Sequence, residues 1–204
     1  MLNEKLLEQI GQFDAKIISD ERKELLKNLI LYIQEKQEAN SPIRLNFICT
    51  HNSRRSHLSQ IWAQTMAYHF SINKVSCYSG GTEATAMFPK VVETLINQGF
   101  LIQKISESEN PVYLVKYTPN EHPIVCFSKN YQHEFNPKNN FAAVVTCNNA
   151  DEACPMVFGA ESRFPIKYND PKAFDHSELQ TQKYAERSLE IAQELWWVFS
   201  QIKH

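Results

Sequence analysis

The chain predicts an α/β fold, a parallel sheet flanked by helices, and three observations carry the prediction. The run Phe141 to Thr146 (FAAVVT) is apolar without alternation, the mark of a strand buried on both faces. Several longer segments repeat their apolar residues at the 3.6-residue period of a helix. Strands and helices alternate through the middle of the chain, the pattern of a sheet covered by helices.

Each element follows from its own residues. Leu2, Leu6, Leu7 and Ile10 fall on one face of a short first helix. Ser19 is a suitable N-cap for a second helix, whose Leu25, Leu26, Leu29, Ile30 and Ile33 keep the helical period to about Gln37. Asn40-Ser41-Pro42 ends it. Residues 1–41 are thus expected to form a helical extension packed on a main domain of residues 42–204. Ile43 to Ile48 (IRLNFI) reads as a strand running straight into Cys49. An amphipathic helix is expected over 55–70, with Leu58, Ile61, Trp62, Thr65 and Met66 on its inner side. Val75 to Ser79 is a short strand closed by Gly80-Gly81. Pro89 to Gln98 is a helix, with proline in its first turn and Gly99 beyond its end. Residues 112–117 and 123–128, separated by Thr-Pro-Asn-Glu-His, predict an inserted hairpin. A last helix spans 181–203, with Leu189, Ile191, Ala192, Leu195, Trp196 and Phe199 facing inward.

Composition narrows the function classes. The 204 residues are 43% hydrophobic and 22% charged, as in an ordinary globular domain, and 21 basic against 23 acidic residues give a net charge of −2. That balance gives no general affinity for nucleic acid or for an anionic membrane, so any anion site must be local. No apolar run reaches the ~18–20 residues that span a bilayer. The N-terminal stretch carries acids early and does not read as a signal peptide, so a cytoplasmic location is expected. Five cysteines, Cys49, Cys77, Cys126, Cys147 and Cys154, are an odd number for a disulfide framework. They form no Cys-x-x-C pair and no zinc-type spacing, so neither metal nor cofactor is implied.

Cys49 to Ser56, Cys-Thr-His-Asn-Ser-Arg-Arg-Ser, is the segment that carries chemistry. Cys49 ends a predicted strand, and Arg55 begins the following helix after five intervening residues. Ligands in α/β sheets gather at such strand ends. Backbone N–H groups of Thr50, His51, Asn52, Ser53 and Arg54 can curl around a tetrahedral oxyanion, with the helix N-terminus adding positive charge. Arg55 can clamp two of its oxygens. The same fields are expected to lower the pKa of Cys49, making its thiolate the nucleophile, and Ser56 is placed to donate a hydrogen bond to it.

The segment from Ile48 to Ser56, followed by a helix, resembles the oxyanion loop of the low-molecular-weight protein tyrosine phosphatases and of the thioredoxin-coupled arsenate reductases built on the same fold. Tyr78-Ser79-Gly80-Gly81-Thr82-Glu83 and the helix after Pro89 are similar to that superfamily too. The stretch from Val144 to Pro155, with Cys147 at a strand end and Cys154 seven residues on, resembles the redox segment of the reductases. The resemblance implies reduction of arsenate through a thiol adduct on Cys49. Cys147 then attacks Cys49, Cys154 attacks Cys147, and thioredoxin is the partner that reduces the final disulfide. It further implies that Asp170, in Tyr168-Asn169-Asp170-Pro171, is the general acid over the loop. The alternative is a phosphatase that hydrolyses phosphate monoesters through a phosphocysteine and needs neither Cys147 nor Cys154.

The sequence departs from the family at several places. His51 replaces a glycine usual in the loop; if that position needs positive φ, His51 strains it. Arg54 adds a cation beside the site or points to solvent. Gln60 stands where some reductases have a glutamate that helps hold a potassium ion, so that ion is not carried over. The N-terminal helices and the insertion around 107–140 have no counterpart in the short reductases. Cys77 and Cys126 are expected to pack as small hydrophobes, and His57 among other histidines to be structural or solvated.

Overall fold

The computed structural model describes residues 1–148, 150 and 156–204. In chain order the elements are α1 (Glu4–Ile10), α2 (Asp20–Glu38), β1 (Ile43–Cys49), α3 (Arg55–His69), β2 (Val75–Gly81), α4 (Pro89–Asn97), β3 (Leu101–Lys104), β4 (Tyr113–Lys116), β5 (Ile124–Cys126), β6 (Phe141–Val145), β7 (Ala160–Pro165) and α5 (Gln180–Ser200). One-turn 3-10 helices cover Ala15–Ile17 and Pro171–Phe174.

Four strands form a parallel sheet in the order β2-β1-β6-β7. The expected sheet is therefore present, and β1 lies inside it with neighbours on both sides. Cys49 pairs with Gly81, so both strands deliver their carboxyl ends to one place. Ile43, Leu45 and Phe47 of β1, with Ala142 and Val144 of β6, join residues of helices α1 to α5 in one buried cluster. Ile48 and Val145 face the other way, into a smaller cluster with Phe141, Ala143, Ala150 and Val157. The N-terminal helices enter the main core through Leu6, Ile10, Leu26, Leu29 and Ile33, all buried.

Ser19 caps α2 as expected, its Oγ accepting from the Arg22 amide at 3.2 Å. The expected amphipathic α3 is instead enclosed nearly all round: Ser56, His57, Ser59, Gln60 and Thr65 are buried together with Leu58, Ile61 and Trp62. Several of its polar groups find partners inside the protein, although Ser59 Oγ does not. Gln60 Nε2 donates to the Cys77 carbonyl, Thr65 Oγ1 to the Ile61 carbonyl, and Trp62 Nε1 to Ser188 Oγ.

The expected hairpin is present as β4 and β5, paired antiparallel. A third strand, β3, extends it into a separate sheet of order β3-β4-β5. The chain leaving β5 then runs against the end of the main sheet, where Asn130 bridges to Gly81. Among the described residues no helix is long and apolar enough to cross a membrane.

Candidate oxyanion site

The loop between β1 and α3 is shaped by what takes its carbonyls. The Cys49 carbonyl accepts from the Thr82 amide at 3.1 Å and the Thr50 carbonyl from the Glu83 amide at 2.8 Å. The His51 carbonyl accepts from Thr85 Oγ1 at 3.1 Å and from Ser128 Oγ at 2.9 Å. The Ser53 carbonyl accepts from the Phe88 amide at 3.0 Å. With these acceptors held from outside, the amides of residues 50–54 donate to no acceptor among the described residues. The N-terminus of the 15-residue α3 likewise has no side-chain cap. Unpaired amides at a helix start are an anion-binding arrangement.

Positive φ in the loop falls on Asn52 (φ 45°), not on His51. The strain expected of His51 is thus misplaced by one residue, and asparagine is among the side chains that tolerate the left-handed region. His51 is partly exposed and points its Nε2 at Glu83, 3.5 Å away. Asn52 is fully buried, and its side chain works in two directions. Its Oδ1 accepts from the Lys129 amide at 2.9 Å, and its Nδ2 donates to Ser56 Oγ at 2.8 Å. Ser56 Oγ lies 3.0 Å from Cys49 Sγ. Because the serine oxygen already accepts from Asn52, its own proton is free to point at the sulfur. Cys49 is 4% exposed, closing β1 at the floor of the loop.

Arg55 starts α3 and turns toward the segment after β7. Its Nη1 donates to the Tyr168 carbonyl at 3.0 Å and its Nη2 to Asp170 Oδ2 at 2.5 Å. Its Nε is buried and without a partner. Asp170 also accepts the Lys172 amide through Oδ1, opening the Pro171–Phe174 turn. Arg54 neither points to solvent nor joins the loop: its guanidinium bonds Tyr184 OH at 2.6 Å and Asp175 at 2.7 Å and lies 4.1 Å over the Phe88 ring.

Cys147 follows β6, is 2% exposed, and has its Sγ 3.4 Å from Thr50 Oγ1. It shares the smaller buried cluster with Cys49. Cys154 lies outside the described residues. Cys77 and Cys126 are buried, and burial pushes both thiols up, Cys126 to about 12, so neither supplies a nucleophile.

His57, expected to be structural or solvated, is structural, and the insertion adds residues that lay outside the sequence reasoning. His57 is fully buried, bonds Ser79 Oγ through Nδ1 at 3.3 Å, and is pushed down to about 3 by burial and by the charge of Lys129. Lys129 and its neighbours Ser128 and Asn130 come from the insertion, which braces the loop at His51, Asn52 and Thr82. The only sequence signal available was a Ser-Lys-Asn run at the end of an apolar strand.

No protein-family model matches the chain. "Arsenate reductase 2" of Staphylococcus epidermidis is 25% identical over 134 residues, which span 66% of this chain and 82% of that protein. The YwlE mutant from Bacillus subtilis superimposes with a TM-score of 0.54 at 15% identity, covering 78% of this chain and 97% of that one. The low-molecular-weight protein tyrosine phosphatase of T. tengcongensis gives 0.53 at 14% identity, covering 75% and 95%. Both structural likenesses speak to the fold alone. The chain thus shares the fold of these solved structures, carries a Cys-x5-Arg-Ser loop at the end of its first sheet strand, and is similar in sequence to an arsenate reductase.

Proposed function

We propose that the protein reduces arsenate to arsenite by way of a thiol adduct on Cys49. The oxyanion sits in the unpaired amides of residues 50–54, in place of the acceptors those amides lack. Arg55 contributes its free Nε. Binding also draws on Nη2, which pairs with Asp170, so the anion takes the place of Asp170 at that nitrogen. Asp170 is then the proton donor to the oxygen that leaves arsenic as the Cys49 S–As bond forms.

The next step needs a second thiol. Cys147 as thiolate attacks the sulfur of Cys49, forming a disulfide. The electron pair of the S–As bond stays on arsenic, which leaves as arsenite. Cys154 then attacks Cys147 and frees Cys49, and a dithiol of the thioredoxin type reduces the Cys147–Cys154 disulfide. The observation that carries the reductase reading is the contact of Cys147 with Thr50, which brings a second buried thiol to the edge of the loop. The sequence kinship with arsenate reductases agrees with it.

The phosphatase reading rests on the Asn52–Ser56–Cys49 chain and on Asp170, which suffice for a phosphocysteine and its hydrolysis. Replacing Cys147 by serine separates the two. Arsenite production with a thioredoxin system is expected to vanish in C147S while hydrolysis of an aryl phosphate, if the protein has any, persists. Arsenite formation at the unaltered rate in C147S would remove the relay.

A further inference from the structure

Lys129 is the only lysine among the described residues to be buried in the core, at 1% exposure. An ammonium has three N–H donors. The acceptor it has is the Phe127 carbonyl at 3.1 Å. The rings of Phe127 and Phe135 stand 4.4 and 5.3 Å from the nitrogen and supply cation–π attraction, without charge. Among the described residues no carboxylate pairs with it. A buried cation without a counter-charge is unfavourable, and burial accordingly lowers the Lys129 pKa to about 8, which still leaves it charged at neutral pH. Its position gives that cost a purpose. The same residue's amide holds Asn52 Oδ1 from behind, and its carbonyl accepts from the Gly81 amide at 2.8 Å. Its charge is felt at His57, one residue beyond Ser56. The ammonium is thus a buried positive charge on the residue whose backbone braces the loop, and His57, kept neutral by burial, does not compete for the anion.

We propose that Lys129 is a positioning residue of the oxyanion loop, whose buried ammonium has the bound oxyanion as its counter-charge. The inference rests on the loop being an oxyanion site and adds the source of part of its affinity. In a water-poor interior a unit charge acts over several ångströms with little screening, so the loss expected on neutralising it is about tenfold in anion affinity.

The test is protection of Cys49 from iodoacetamide by inorganic phosphate at pH 7, in the full chain and in K129M, K129Q and K129R, with thermal melting recorded for each. Methionine keeps the length and the contact with both rings, glutamine keeps a donor for the Phe127 carbonyl, and arginine keeps the charge. The expected result is protection about tenfold weaker in the two neutral variants at melting temperatures near that of the unaltered protein, with K129R restoring most of it. Protection within twofold of the unaltered protein in either neutral variant overturns the proposal. So does equal weakening in K129R, which would make shape rather than charge the cause. Failure of both neutral variants to fold while K129R folds also counts against it, since the charge would then serve the fold. No protection by phosphate in the unaltered protein would instead remove the oxyanion reading itself.

Discussion

His57 and Asn52 share a property: each is a fully buried polar side chain within the loop or its first helical turn. For His57 burial fixes the charge state. Its folded pKa is depressed to about 3, while in the unfolded chain it titrates near 6.5. Below that pH the unfolded state takes up a proton that the folded state refuses. The stability His57 allows is therefore complete above about pH 6.5 and falls as the pH drops toward 3, at up to about 1.4 kcal/mol per pH unit. Asparagine sets its amide where Nδ1 lies and keeps a partner for Ser79, without the titration. Between pH 7 and pH 4.5, urea unfolding of the native chain should lose roughly 2 kcal/mol more than H57N does. Parallel losses would show that His57 accepts its proton in the folded state. At this scale the placement of Cys49, Arg55 and Ser56 at one strand end was legible because it depends on spacing along the chain. The strained position was not. A missing glycine drew attention to His51, whereas the left-handed residue is Asn52, the type that tolerates it best among non-glycines.

At the scale of elements, the loop is held by strand ends that pass too close to admit side chains. A Cβ on Gly81 would stand 2.3 Å from the Glu83 carbonyl oxygen, 2.5 Å from that of Thr50 and 2.7 Å from the Asn52 amide nitrogen, all backbone atoms. None can swing away as a flexible side chain would. Gly81→Ala should therefore cost about 3 kcal/mol or more in urea unfolding, by forcing the loop off β2. Its folded fraction should lose phosphate protection of Cys49; full protection in a stable G81A would mean that the loop relocates without harm. The parallel strands β1 and β6 were readable because central strands are apolar. Two others were not, for opposite reasons of environment. β3 is four residues with an exposed Leu101 and lies at the edge of its sheet, and β7 (AESRFP) is an edge strand with most side chains only partly covered. Neither position imposes an apolar run or a clean alternation. The bracing by Ser128, Lys129 and Asn130 was hidden for another reason, since it depends on where the end of the insertion comes to rest.

Across the whole molecule, the N-terminal helices reach the chemistry through one buried network. Arg22 of α2 makes a two-pronged pair with Glu194 of α5, at 2.7 and 2.9 Å, and its guanidinium stands 4.9 Å over the Tyr168 ring. Tyr168 OH donates to the same carboxylate at 2.8 Å, and the Tyr168 carbonyl accepts from Arg55. Burial together with the Glu194 charge raises Tyr168 far above the ordinary tyrosine range, so its hydroxyl remains a donor to Glu194. A helix that precedes the parallel sheet in the chain therefore sets the segment that ends in Asp170. Arg22→Met would leave Glu194, with only 6% of its side chain exposed, charged and short of its main partner. Breaking a pair of this kind costs roughly 3 kcal/mol, and lysine cannot replace the planar fork that grips both carboxylate oxygens. Both R22M and R22K should lower the urea midpoint. If the network also positions Arg55, both should weaken phosphate protection of Cys49 several-fold at temperatures where they are fully folded, whereas a helix that only adds core would leave that protection unchanged.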